Sequence, residues 1–462
     1  MLGTFTRELR IHDQDIFEET TMFIRESKLL FGPGILSSLG EQHRKQRKML
    51  NPVFSIAHMR EMVPIFYDVT HKLRDTILEK VKNSAQEIDL LPWMKRTALE
   101  LIGQSGLGYS FDSLKEDEPS HPYYKSTQEL VPVASKMMFA RMYLGWTTRV
   151  GPPKIRRAIV NLLPWKAAHK IRDITDTMYN TSVEILNSKR QALDNGDEAV
   201  RNQIGQGKDI LSILLRANMS ASGSDRLSDE EVIGQMSSLT FAATDTTSAA
   251  LSRVFHLLAK HPDAQARLRE EIIEARARYG GDIPYDELVV LPYLDAIAVR
   301  LSGFSIAMRV ARKDVSVPLS SPIKGTDGQT VTEIFVPKNT KILIGILAAN
   351  RNPELWGPDS YEWKPERWLE PLPETVTNAR LPGIYANLMT FLGGSRACIG
   401  FKFSQLEMKV VLSLLIESFK VALPDKEIVW QMDAVATPTI SDVPNPQAQL
   451  PLIMSLASGS FS

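Results

Sequence analysis

Phe391-Leu392-Gly393-Gly394-Ser395-Arg396-Ala397-Cys398-Ile399-Gly400 is the stretch whose reading decides the fold. It places the chain's only cysteine in a glycine-rich loop. Just beyond it Phe403, Leu406, Val410 and Leu414 recur on one face at helical spacing. Cys398 therefore stands ahead of a helix, where partial positive charge and free N–H groups favour a thiolate over a thiol. Gly394 and Gly400 permit close backbone approach and unusual φ angles, which suits a flat cofactor lying against the chain. Arg396 supplies a fixed cation beside a site that would hold carboxylates. A lone cysteine without context is more often a buried structural residue, so the neighbours carry the argument.

The rest of the composition narrows the chemistry. With a single cysteine no internal disulfide can form, and every multi-cysteine zinc or iron–sulfur pattern is excluded. The eight histidines are scattered and none follows His261, while His256 and His261 lack the spacing of a helical metal pair. Lys plus Arg equals Asp plus Glu at 54 each, so no bulk charge points to nucleic acid. A chain of 462 residues with 43% hydrophobic residues can bury a large core. No apolar run approaches the ~18 residues of a membrane span.

Upstream of the cysteine loop the chain reads mostly as helices. One long helix runs from about Ser228 to Lys260, opened by a Ser228–Glu231 capping box and carrying Ile233, Met236, Leu239 and Ala243 on one stripe. Pro262 starts the next helix, which stops near Gly280-Gly281. From Arg309 the texture turns to β. Val331–Val336, the turn at Pro337-Lys338-Asn339 and Lys341–Ile346 read as a hairpin, and a Pro/Trp-rich loop follows from Asn350 to about Met389. The expectation is one domain over residues 1–462, mainly α with a minor β part.

Phe-x-x-Gly-x-Arg-x-Cys-x-Gly resembles the haem-binding loop of the cytochrome P-450 superfamily, and all five fixed positions match. The resemblance implies haem (iron protoporphyrin IX) with Cys398 as its axial thiolate and metal ligand. It also implies Arg396 on a haem propionate and Phe391 shielding the sulfur. Thiolate ligation pushes electron density onto iron and favours O–O cleavage.

A second segment, Ala242-Ala243-Thr244-Asp245-Thr246-Thr247, lies mid-helix, where threonine and aspartate are poor helix formers. A Thr246 hydroxyl bonded back to the Ala242 carbonyl would loosen the helix there. The segment is similar to the family's oxygen-activation motif, which implies that Asp245 and Thr246 guide protons; a plain polar helix face is the bland alternative. Residues Gly40–Lys48 resemble the family's Trp-x-x-x-Arg helix, with His43 in place of Trp. His43 and Arg47 would then donate to a propionate, as would Arg309, although a solvated basic face reads equally from the charge run alone. Arg44, Lys45 and Lys48 offer a docking surface for an acidic electron donor. Pro365-Glu366-Arg367-Trp368 matches the stretch whose arginine completes a buried ionic triad.

Two departures stand out. After Leu291–Ala296 the family carries a Glu-x-x-Arg, and this chain reads Val299-Arg300-Leu301-Ser302-Gly303-Phe304 before rejoining at Met308-Arg309-Val310-Ala311. Roughly half a dozen residues, about one and a half helical turns, are missing by comparison. Arg367 is then expected to lose its partners, and an unpaired buried charge costs several kcal/mol. The chain also opens without the membrane anchor and first strands, so the expected fold is an N-terminally truncated cytochrome P-450 fold.

By resemblance, fungal microsomal members above all, the activity expected is monooxygenation of a small apolar substrate, possibly in secondary-metabolite biosynthesis. An NADPH-dependent reductase would be the electron donor, with no nucleic-acid partner. The family's place is the endoplasmic reticulum membrane, and without a span this chain would be cytoplasmic. The alternative is a catalytically impaired member lacking the Glu-x-x-Arg helix. A nucleophilic Cys398 would need a base, and no histidine follows His261. Apolar residues between Leu107 and Phe139, around Leu215–Ala217 and at Phe304 could line a pocket but read more simply as core.

Overall fold

The structure, a computed structural model, describes residues 16–118, 120–137, 139, 143, 150–299, 306–379, 381–432, 435–441, 443 and 447–457. Helices dominate and the sheets are small and antiparallel, so the mainly α reading with a minor β part holds. The chain divides into two compact units. One takes in residues up to Thr20, Ile77–Met94 and everything from Thr246 onward; the other comprises Thr21–Thr76 and Lys95–Asp245.

The second unit is built from helices. Ser228 and Glu231 cap the helix Asp229–Lys260 reciprocally: the Ser228 N–H donates to Glu231 Oε2 at 2.9 Å and the Glu231 N–H to Ser228 Oγ at 3.3 Å. Glu231 also accepts from Gln46 Nε2 at 3.1 Å, and Gln46, wholly buried, donates to the Pro33 carbonyl at 2.9 Å. That tie brings the loop at Pro33-Gly34 against the helix. A Cβ on Gly34 would stand 2.4 Å from the Gly234 carbonyl oxygen, so the two backbones meet only because both residues are glycine. Leu107 and Leu215 are buried and belong to core, while Phe139 is 81% exposed; Phe304 lies outside the described residues.

In the cysteine-bearing unit one sheet has the order Phe17–Glu18, Ile306–Ala311, Lys341–Gly345, and Phe17 stands opposite Ala311. A second joins Gln86–Asp89, Pro451–Leu456 and Phe419–Ala422. The expected hairpin between Val331–Val336 and Lys341–Ile346 does not form. Thr330–Val336 pairs instead with Val315–Lys324, and Lys341–Gly345 pairs with Ile306–Ala311 in another sheet. The tight turn is at Gly325–Gln329, where the Gly325 N–H donates to the Gln329 carbonyl at 2.8 Å and Gly328 adopts φ 78°. The turn at Pro337-Lys338-Asn339 crosses between sheets, with the Asn339 N–H on the Ala311 carbonyl at 2.7 Å. Ile16, Phe17, Ala311, Val317, Val336 and Ile342 form the core under these strands. The helix Phe401–Ser418 is buried along the predicted face, with Leu406, Val410 and Leu414 fully covered.

Candidate functional site

Cys398 is exposed in the loop that precedes the helix Phe401–Ser418, whose N-cap is Gly400. Its N–H donates to the Phe391 carbonyl at 2.9 Å, closing the loop on itself. Gly394 adopts φ 72°, a conformation that favours glycine, as expected. Gly400 does not: its φ is −89°, open to any residue, because its place is an ordinary cap whose carbonyl accepts from the Ser404 N–H at 2.9 Å. The Phe391 ring packs between Tyr385 at 6.2 Å and Phe401 at 6.0 Å. Upstream, Asn350 holds the approach to the loop, accepting from the Met389 N–H at 2.7 Å and donating to Thr390 Oγ1 at 3.1 Å.

The two arginines expected to hold carboxylates already do so in this unit. Arg309, buried, pairs with Glu19 Oε1 at 2.9 Å, and Arg396 stands 3.9 Å from Glu18 Oε1. Both acids come from the end of the strand Phe17–Glu18, which lies opposite Val310 in the sheet. Burial pushes the Glu19 carboxyl up from its ordinary range, against the pull of Arg309 and Arg396. No sequence signal marks these acids, since their partners lie hundreds of residues away.

Thr246 and Thr247 lie in the long helix, and the Thr247 hydroxyl meets that of Ser404 at 3.2 Å, tying this stretch to the helix after the cysteine. Back-bonding of hydroxyl to carbonyl runs along the same helix at Thr240, Thr244 and Ser252, each at 2.7–2.8 Å.

The remaining expected residues belong to the other unit. Burial pushes the Asp245 carboxyl up, with Lys95 partly offsetting the shift. His43, buried, and Arg47, half-buried, stand one turn apart on the helix Gly40–Leu50. On the same helix Arg44 bonds Glu41, Lys45 donates to the Arg226 carbonyl at 2.7 Å and Lys48 pairs with Asp225 at 2.9 Å, so the basic run is engaged locally.

Arg367 overturns an expectation. Its guanidinium donates to the Trp356 carbonyl at 2.8 Å and the Asp359 carbonyl at 3.2 Å, and pairs with Asp359 Oδ1 at 2.6 Å. The charge is therefore balanced without a Glu-x-x-Arg, because the loop folds Asp359 back over it. Residues 300–305, where the family's helix would continue, lie outside the described residues.

These residues fit haem. Among the described residues no group of three or more His, Cys, Asp or Glu could hold a metal, which leaves a single thiol as the ligand type. An exposed thiol in a closed loop, with two arginines in the same unit that already take carboxylates, is the donor set that iron and propionates require.

Comparison with known proteins agrees. The family model for Cytochrome P450 matches residues 5–442. The chain is 52% identical to Cytochrome P450 monooxygenase 91 of Postia placenta, over 95% of this chain and 81% of that protein. It is 45% identical to ganoderic acid synthetase CYP5150L8 of Ganoderma lucidum, over 95% and 82% respectively. A crystal structure of a cytochrome P450 (CYP102L1) superposes with a TM-score of 0.71 at 21% identity, covering 98% of this chain and 88% of that one, and so matches the fold. The chain belongs to the cytochrome P450 family of haem-dependent monooxygenases.

Proposed function

We propose that this chain, as a single functional domain over residues 1–462, inserts one oxygen atom from O2 into a small apolar substrate. The observation that carries the proposal is the Cys398 loop, closed on the Phe391 carbonyl and set ahead of a buried helix. In the balanced reaction a C–H bond becomes C–OH, and the second oxygen atom leaves as water with two protons and two electrons. Haem, when bound, supplies the oxygen activation. Cys398 holds the iron, Arg309 and Arg396 hold propionates together with His43 and Arg47, and Phe391 covers the sulfur. Gly394 gives the loop its turn, with Gly400 capping the helix behind it. Asp245 and Thr246 deliver protons, the raised affinity of Asp245 for its proton suiting it to a relay. Electrons come from an NADPH-dependent reductase. The resemblance to a ganoderic acid synthetase supports a substrate from secondary metabolism.

The test is the reduced-plus-carbon-monoxide difference spectrum of the purified chain beside Cys398→Ala. A thiolate-type Soret band lost in the variant is expected. Its absence from the parent would favour the second reading, a member impaired by the missing Glu-x-x-Arg; the Asp359 pairing of Arg367 argues for the first.

No described helix is long and apolar enough to cross a membrane. We place the chain on the endoplasmic reticulum surface. The helix Pro153–Leu162 has no buried residue and exposes Ile155, Ile159 and Leu162 beside Lys154 and Arg156. Flotation with anionic vesicles, lost in Leu162→Glu, is the expected result; equal flotation of the two proteins would sink the idea.

A further inference from the structure

Lys409 is a charged residue on the helix after the cysteine, yet only 1% of it is exposed. Its Nζ donates to Asp295 Oδ1 at 2.6 Å and to the Val289 carbonyl at 2.7 Å. The Tyr385 hydroxyl donates to the same Asp295 oxygen at 2.7 Å. Two donors converging on one oxygen hold the carboxylate ionised, and they join three separate segments: the helix Pro292–Val299, the helix Phe401–Ser418 and the loop before the cysteine. Burial pulls the Lys409 ammonium towards its neutral form and Asp295 opposes that, consistent with a pair that stands or falls together.

Tyr385 carries the network to the thiol. Its ring packs on Phe391, and the neighbouring Ile384 N–H donates to the Leu392 carbonyl at 3.0 Å. The Phe391 carbonyl is the acceptor of the Cys398 N–H. A shift at Tyr385 therefore passes through one ring contact and one backbone pairing to the residue that closes the cysteine loop. None of the three side chains touches Cys398, so each acts through other residues.

We infer that Lys409, Asp295 and Tyr385 form a buried polar tether that positions the Cys398 loop in a chain that has no Glu-x-x-Arg. The inference rests on Cys398 being the haem ligand only for its spectroscopic test; the loop geometry is testable without haem. The variant of choice is Tyr385→Phe, which removes one hydroxyl and keeps the ring. In the haem-free full chain, hydrogen exchange across residues 391–400 should speed up about tenfold, the scale of one charge-assisted hydrogen bond. Exchange in the helix Asp229–Lys260 should not change. In the haem-loaded chain, at equal haem content, the ratio of thiolate-type to non-thiolate Soret band in the reduced carbon-monoxide complex should fall.

Lys409→Met should move both readouts the same way, with Lys409→Arg restoring them in part. Parent-like exchange over 391–400 in Tyr385→Phe overturns the tether, and so does acceleration spread evenly through the fold, which marks a merely structural bond. If the parent takes up no haem, the proposed function fails and the exchange arm alone decides the tether.

Discussion

Asp359→Ala is the perturbation that asks most directly how this chain manages without a Glu-x-x-Arg. Only 9% of the Arg367 side chain is exposed, while Asp359 keeps 29% of its own in water. Breaking a fully buried ion pair costs about 3–5 kcal/mol, because the partner charge is left uncompensated. Here the loss is smaller: solvent reaches the Asp359 carboxylate, and Arg367 keeps its bonds to the carbonyls of Trp356 and residue 359. A charge-assisted hydrogen bond contributes about 1.5–3 kcal/mol, so about 2 kcal/mol is expected for Asp359→Ala, and about 1 kcal/mol for Asp359→Asn, which keeps an acceptor.

Urea unfolding followed by tryptophan fluorescence is the assay. Trp356 and Trp368 lie 5.4 Å apart beside Arg367 and report on this loop. The Arg367 hydrogen bond holds the Asp359 carboxyl below its ordinary range. Its contribution is therefore complete above the carboxyl's unfolded pKa and lost as pH falls through the lower folded value, so the parent–variant difference should shrink in acid. In the double variant with Arg367→Met the cost should be less than the sum of the two singles. An Asp359→Ala midpoint equal to the parent's at neutral pH would refute the reasoning and leave Arg367 unbalanced.

Three further outcomes follow from single sites. His256 is buried, accepts from Trp430 Nε1 at 2.8 Å, and is pushed down to about 4 by burial and by Arg253 and Lys260. The unfolded chain takes up this proton first as pH falls below about 6.5, so stability drops between there and about 4, by about 2–3 kcal/mol; His256→Gln should flatten that part of a urea-midpoint profile. Glu19→Gln removes the carboxylate on Arg309, so haemin should bind about tenfold tighter in a spectroscopic titration, while its dimethyl ester, lacking free carboxylates, should not distinguish variant from parent. Gly234→Ala puts a Cβ 2.6 Å from the Gly34 nitrogen and should cost about 3 kcal/mol in urea unfolding; an unchanged midpoint would mean the loop moves aside freely.

What the sequence by itself determined is what local spacing encodes. The cysteine loop, the buried face of the helix after it, the Ser228–Glu231 box and the glycine stop at Gly280 each depend on residues within a few positions of one another, and each stands in the structure as read. So did the mainly α fold and the family. Strand partners were not legible. Thr330–Val336 carries the same alternation whichever neighbour it takes, and turn geometry at Gly325–Gln329 chose Val315–Lys324. Nor were the ionic partners. Glu19 finds Arg309, Lys409 finds Asp295 and Arg367 finds Asp359 through folded loops and sheets that leave no periodic mark. A buried charge must be paired, and the sequence states that need at Arg367; only the tertiary structure decides which carboxylate arrives, because proximity in a fold is set by packing and not by position along the chain.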